Sequence, residues 1–247
     1  MADWIYGVNP VQEALSGSRR RPLEVLVVRD GRSARLEGVL RTARSAGIPV
    51  REAERAELTR MAGHPHHQGV LLRVAPFDYI PLEDLLARWR ETGRPGLFLV
   101  LDGITDPHNF GALLRDADAA GCQGVIVPKD RACPVTAVVE KSAAGALSHL
   151  PLCQVTNISR TLDTLKAEGI WVYGLAGDEG ATDLYQADLQ GDVALVIGSE
   201  GGGLRLNSRR HSDLLLSIPM SGGVTSLNAS AAAAVALFEA VRQRRSI

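Results

Sequence analysis

The chain has 247 residues, 45% of them apolar and 22% charged, and a formal net charge of −1. That length holds one large or two ordinary domains and a substantial core. No apolar run reaches the length of a membrane span, and residues 1–6 lack the basic-then-apolar pattern of a signal peptide, so a cytoplasmic protein is expected. Three widely spaced cysteines, Cys122, Cys133 and Cys153, argue against a disulfide framework or a zinc site and fit a reducing compartment.

The small net charge hides an asymmetry. Residues 1–75 hold 12 Arg against 8 Asp and Glu, a balance of +4, and the remaining residues balance at −5. A basic first third suits a polyanionic partner, although ordinary surface composition explains it equally well. In chain order, this third predicts a helix over 10–15, a strand over 24–28, a helix over 34–46, a strand over 48–51, a helix over 54–61 and a strand over 69–74. Strands separated by amphipathic helices make a small α/β sandwich. The sequence HPHHQG at 64–69 has three histidines but no partner ligands elsewhere, a poor metal pattern, and reads better as a polar loop entering a strand. Residues 76–95 are expected to be a linker with one short helix over 81–90.

From 96 onward the apolar runs at 97–101, 124–127, 150–155, 170–175, 193–197 and 214–218 are continuous rather than alternating. Continuous runs predict parallel strands covered on both faces, and such sheets take their ligands beyond the carboxyl ends of the strands. Three strand ends carry unusual equipment. DPHNFGALLR, 106–115, opens a helix whose buried stripe is Phe110, Leu113, Leu114 and Ala117, leaving Asn109 at its mouth and Arg115 off the stripe among small neighbours. A capped helix with a surface arginine paired to Asp116 or Asp118 explains it as well as a ligand site does. VIGSEGGGLR, 196–205, sets Glu200 in a glycine loop that is neither a P-loop nor a dinucleotide fingerprint. It is either a plain turn or a ligand loop. SIPMSGGVTSLNAS, 217–230, leads from a strand into an alanine-rich last helix that Ser226 or Asn228 can start, and which is clad for close packing on two sides. No G-x-S-x-G, H-E-x-x-H or C-x-x-C is present, which removes serine hydrolases and metalloenzymes from consideration.

In this order, the three stretches resemble the motifs of the SpoU (TrmH-type) branch of the SPOUT methyltransferases. The resemblance is carried by Asp106–Gly111 with Arg115, by Gly198-Ser199-Glu200 with Gly203-Leu204, and by Ser217–Met220 with Ser226–Ser230. Ile5-Tyr6-Gly7 and His67-Gln68-Gly69-Val70 are similar to the ribosomal-protein-like substrate-binding domain of many members. The resemblance implies an RNA substrate-binding domain over 1–75 and a catalytic domain over 96–247, whose parallel sheet ends in a deep trefoil knot. It also implies a homodimer, no metal, and S-adenosylmethionine held at Gly198, Ile218 and Leu227 with Met220 nearby. The reaction implied is methyl transfer to the ribose 2′-hydroxyl of a guanosine in large-subunit (23S) ribosomal RNA. A tRNA substrate and a non-catalytic RNA-binding or assembly role are the alternatives. Arg115, Asn109, Glu200, Ser226 and Asn228 are the catalytic candidates that the resemblance supplies. Because a guanidinium with a pKa above ~12 is a poor base at neutral pH, Arg115 is expected to act by positioning and charge, with Asn109 fixing it and Glu200 as the alternative base.

Overall fold

The computed structural model describes residues 3–17, 20–29, 33–63, 65–177, 180–199 and 201–245. The chain forms two compact units, residues 1–78 and 79–247. The first unit runs β1 (Asp3–Tyr6), α1 (Val8–Gly17), β2 (Pro22–Val28), α2 (Ala34–Ser45), β3 (Val50–Ala53), α3 (Arg55–Ala62) and β4 (Val70–Val74). Its sheet has the order β1-β4-β2-β3, parallel only between β2 and β3. Leu26, Ala53, Leu58 and Leu71 are buried together between the sheet and α3. Strand β1 was not anticipated, because four residues give too short a pattern to separate from the helix that follows.

Within the histidine-rich loop, His67 and Gln68 serve the fold. His67 is fully buried; its Nδ1 accepts from the Gly69 N–H at 3.1 Å, and its Nε2 lies 3.1 Å from Thr59 Oγ1. Next to it, the Gln68 side chain accepts from the Val8 N–H at 2.9 Å and satisfies a free donor at the start of α1. His64 lies outside the described residues.

The second unit continues with α4 (Leu82–Thr92), β5 (Leu97–Asp102), α5 (Pro107–Ala119), β6 (Gly124–Pro128), α6 (Ala137–Ser142), β7 (Leu152–Val155), α7 (Ile158–Ala167), β8 (Trp171–Leu175), β9 (Thr182–Asp183), β10 (Val193–Gly198), α8 (Leu206–His211), β11 (Leu214–Ser217) and α9 (Ala229–Arg244). All pairings are parallel, in the order β7-β6-β5-β10-β8-β11-β9. Residues alternate between the two faces of a strand. Phe98, Val100, Val172, Ala194 and Val196 therefore form one core with Leu85, Leu86 and Trp89 of α4 and Leu162 and Leu165 of α7. The opposite face carries α5 and α9. The stretch 76–95 is thus not a free linker: α4 belongs to the core of the second unit, and Trp89 meets Phe98 edge-to-face at 5.6 Å. Among the described residues no helix is long and apolar enough to cross a membrane.

At the end of α9, Arg244 works as a clamp. Its guanidinium donates to the carbonyls of Leu189 at 3.0 Å, Gly96 at 2.9 Å, Gly191 at 2.7 Å and Pro95 at 3.3 Å, fastening the entries of β5 and β10. Arg244→Ala is expected to lower stability by about 1–3 kcal/mol, read from urea denaturation, because it strips partly buried carbonyls of their donors. Burial raises the thiols of Cys122, Cys133 and Cys153, that of Cys153 to about 12. Since the thiolate is the nucleophile, a disulfide reagent at pH 8 should label the native protein slowly and all three cysteines rapidly once urea unfolds it.

Candidate active site

Strand β5 is apolar up to Leu101 and then ends on Asp102, which is 1% exposed. A lone carboxylate at that depth costs several kcal/mol unless charge and hydrogen bonds meet it. Arg205 Nη1 lies 3.1 Å from its Oδ1, and the Ser208 hydroxyl donates to its Oδ2 at 2.6 Å. The guanidinium crosses directly over Gly103, where an added Cβ would come within 2.7 Å of Nη2. The segment entering α5 is thereby tied to the segment leaving β10.

Between β10 and Arg205 the glycine loop closes on itself. Ser199 N–H donates to the Gly203 carbonyl at 3.1 Å, and Gly203 N–H returns a bond to the Ser199 carbonyl at 2.9 Å. Gly198 lies against the returning strand so closely that a Cβ would stand 2.1 Å from the Gly203 oxygen. Only glycine permits this approach. Glu200 lies outside the described residues.

The loop walls a cavity of about 250 Å3 at the carboxyl ends of β8, β10 and β11. Gly198, Ile218, Met220, Ser226 and Leu227, separated by up to 29 positions in sequence, all line it. Ala176 and Gly177, beyond the end of β8, line it too and were missed in the sequence, because they are small residues that carry no chemistry of their own. Ile197, Leu216 and Ile218 offer apolar walls, while the loop offers main-chain polar groups at its rim. Such a site suits a flat heteroaromatic ring with a polar edge.

The helix mouths meet beside this cavity. Asp106, rather than Asn109, caps α5, accepting from the Asn109 N–H at 2.8 Å with Pro107 in the first turn. Asn109 is released from capping, and its Oδ1 accepts from Asn228 Nδ2 at 3.0 Å. Asn228 in turn caps α9 through its Oδ1, which accepts from Ser230 N–H at 2.9 Å and from Ala231 N–H at 3.4 Å. The last helix therefore starts at Ala229 with Asn228 as its cap, and Ser226 is left in the cavity wall. Arg115 is exposed on α5 and does not line the cavity. Its positive charge opposes the upward shift that burial gives the neighbouring Asp116 carboxyl. Gly111, one of the small neighbours of Arg115, lets α6 approach, since a Cβ there would meet Ser142 Cβ at 2.3 Å.

Fold and site together define an α/β enzyme that receives its ligands at the carboxyl ends of parallel strands. The SpoU rRNA methylase family model matches residues 96–238, and a model for RNA 2′-O ribose methyltransferase substrate binding matches residues 4–80. The chain belongs to the SpoU rRNA methylase family. It is 47% identical over 244 residues to the 23S rRNA (guanosine-2′-O-)-methyltransferase RlmB of Shewanella oneidensis, covering 99% of this chain and 98% of that one. The enzyme of the same name from Pseudomonas putida is 46% identical, with 98% and 96% covered. Among solved structures, the SpoU methyltransferase AviRb from Streptomyces viridochromogenes, in complex with AdoMet, superposes with a TM-score of 0.71 at 27% identity, covering 99% of this chain and 91% of that one.

Gly198→Ala should open the Ser199–Gly203 bridge, with a loss of about 2–4 kcal/mol by the magnitude of core overpacking and strain. Thermal unfolding reads this directly, and an unchanged midpoint would mean that the loop yields freely.

Proposed function

We propose that this chain transfers a methyl group to the ribose 2′-hydroxyl of a guanosine in large-subunit ribosomal RNA, with S-adenosylmethionine as the donor. The observation that carries the reading is the convergence of Gly198, Ile218, Met220, Ser226 and Leu227 on one cavity, in a chain nearly half identical over its whole length to enzymes of that activity. The cavity fits the donor chemically. Its apolar walls suit an adenine ring, and the close approach at Gly198 leaves the main chain bare against the ligand. When bound, S-adenosylmethionine supplies an electrophilic methyl carbon on a sulfonium.

The protein's own part is to hold a weak nucleophile in line with that carbon. The bound cofactor would supply the methyl, and the acceptor hydroxyl would have to pass its proton to Glu200 or to solvent as it takes that group. Arg115 holds the acceptor ribose and its phosphate by charge, which is worth most when the groups are pre-aligned. Asn109, fixed by Asn228, orients the same ribose. Ser226 and Asn228 set the third motif, and Glu200 anchors the glycine loop and stands as the alternative proton acceptor. No metal enters this scheme.

The same reading assigns 1–75 to RNA binding and 96–247 to catalysis, with the C-terminal segment threaded as a deep trefoil knot. It assigns a homodimer as well, built on the outer stripe of α9 where Phe238 is 46% exposed. The protein would work in the cytoplasm, where ribosomal RNA is assembled.

The test is methylation of large-subunit rRNA fragments by the wild-type, Arg115→Ala and Glu200→Gln proteins, with cofactor affinity from calorimetry. Arg115→Ala is expected to lower kcat by about 100-fold or more while changing cofactor affinity less than about twofold, as for loss of a group acting in the transition state. Near-normal turnover of Arg115→Ala together with an inactive Glu200→Gln would reverse the two roles. Methylation of tRNA in place of rRNA would overturn the substrate, and absence of cofactor binding at millimolar ligand would favour a non-catalytic RNA-binding protein.

A further inference from the structure

A second cavity, of about 440 Å3, opens at the carboxyl ends of β5, β6 and β7. In the sheet order, β5, β6 and β7 lie to one side of β10 and the strands of the cofactor cavity to the other. The segment leaving β10 serves both: Gly198, Ser199, Gly201 and Gly203 wall the first cavity, and Arg205 to Ser208 wall the second. The two cavities thus open at the same end of the sheet and share the segment leaving β10 as a wall.

The polar groups of this cavity divide into those already committed and those left free. Both Asp102 oxygens are taken by Arg205 and Ser208. Asn157 spends its Oδ1 on the Arg160 N–H at 3.1 Å, which leaves its amide N–H groups as donors. Asp130 and Arg131, which follow β6, also line the cavity and form no ion pair among the described residues. Arg131 holds a φ of +57°, a region that non-glycine residues enter uncommonly. Among the described residues the cavity therefore presents one carboxylate and one guanidinium outside any ion pair, with the amides of Asn157 and Asn207 and the hydroxyls of Thr156 and Ser159 around them.

Of these groups the carboxylate is the one that singles out a nucleobase. Guanine places two adjacent donors, N1–H and the 2-amino group, where a single carboxylate can accept both, and it places the O6 acceptor beside them for an arginine or amide. Adenine and uracil lack the paired donors, and cytosine has a donor beside an acceptor.

We propose that this second cavity receives the guanine base of the nucleotide being methylated, with Asp130 accepting from N1–H and the 2-amino group and Arg131 donating to O6. The proposal rests on the reading of function given above and extends it to the choice of base. Asp130 and Arg131 are specificity-determining residues in this account.

The experiment uses an rRNA fragment that the wild-type protein methylates, and the same fragment with inosine, which lacks the 2-amino group, at the target. Wild-type kcat/KM is expected to fall about tenfold or more on inosine, as for a site built to hydrogen-bond a missing group. Asp130→Ala should lower kcat/KM on guanosine by about 10- to 100-fold and bring the guanosine-to-inosine ratio close to one. Its thermal midpoint and cofactor affinity should stay at wild-type values, because Asp130 is exposed. A wild-type ratio retained in Asp130→Ala overturns the proposal. So does an equal loss on both RNAs in Arg131→Ala with a shallower salt dependence, which would assign the cavity to a backbone phosphate. If the wild-type protein methylates no rRNA fragment at all, the proposed function falls, and this assignment falls with it.

Discussion

A carboxylate buried at the end of a parallel strand sets the terms for the second unit. A polar side chain at that depth needs partners, and those of Asp102, Arg205 and Ser208, come from beyond the glycine loop, more than a hundred positions later. Pairing them fixes where the loop leaves β10 and where the chain enters α5. Each cavity owes one wall to this constraint. The loop can be made of glycines and still have a defined position, because its downstream end is held by a charge that has few other places to go.

The neighbouring polar contacts follow the same economy. Asp106 caps α5, which frees Asn109; Asn228 caps α9 with one atom of its amide and reaches Asn109 with the other. Two helix starts, each needing a cap for its own stability, are made to meet by the residues that serve them. A site assembled from caps is comparatively rigid, since any movement of its polar groups also exposes unsatisfied main-chain donors.

Much of this architecture was legible in the amino-acid order. Uninterrupted runs such as Leu97–Leu101 and Val193–Ile197 have no polar face to give water, so both of their faces had to be covered and their partners parallel. Gly198, Ile218, Met220, Ser226 and Leu227 were named from their motifs, and they line one cavity. What escaped were roles that depend on partners distant in the chain. Nothing local distinguishes Gly111 as a seat for α6 from an opening beside Arg115, whereas the Asp106-Pro107 pair was a local sign of the cap that went unread. Residues 76–95 looked like a linker because the apolar face of α4 is short, and its complement, the face of β5 carrying Phe98, is itself part of a run with no visible polarity. The acidic end of an otherwise apolar strand, Asp102, was the one local sign of the anchor.

The clamp at Arg244 bears on the order in which the molecule is made. It joins α9 to Gly96, 148 positions earlier, while the Asn109–Asn228 bond spans 119. Contacts of such separation are slow to form, because the intervening chain must first be closed into a loop. During synthesis the strands from β5 to β10 can pair and bury their apolar faces well before α9 emerges, yet the cavity beside the glycine loop still lacks Ile218, Met220 and Leu227 at that stage. The cavity is therefore complete only once the segment before α9 is in place, and the same helix, on docking, fastens the entry of β5.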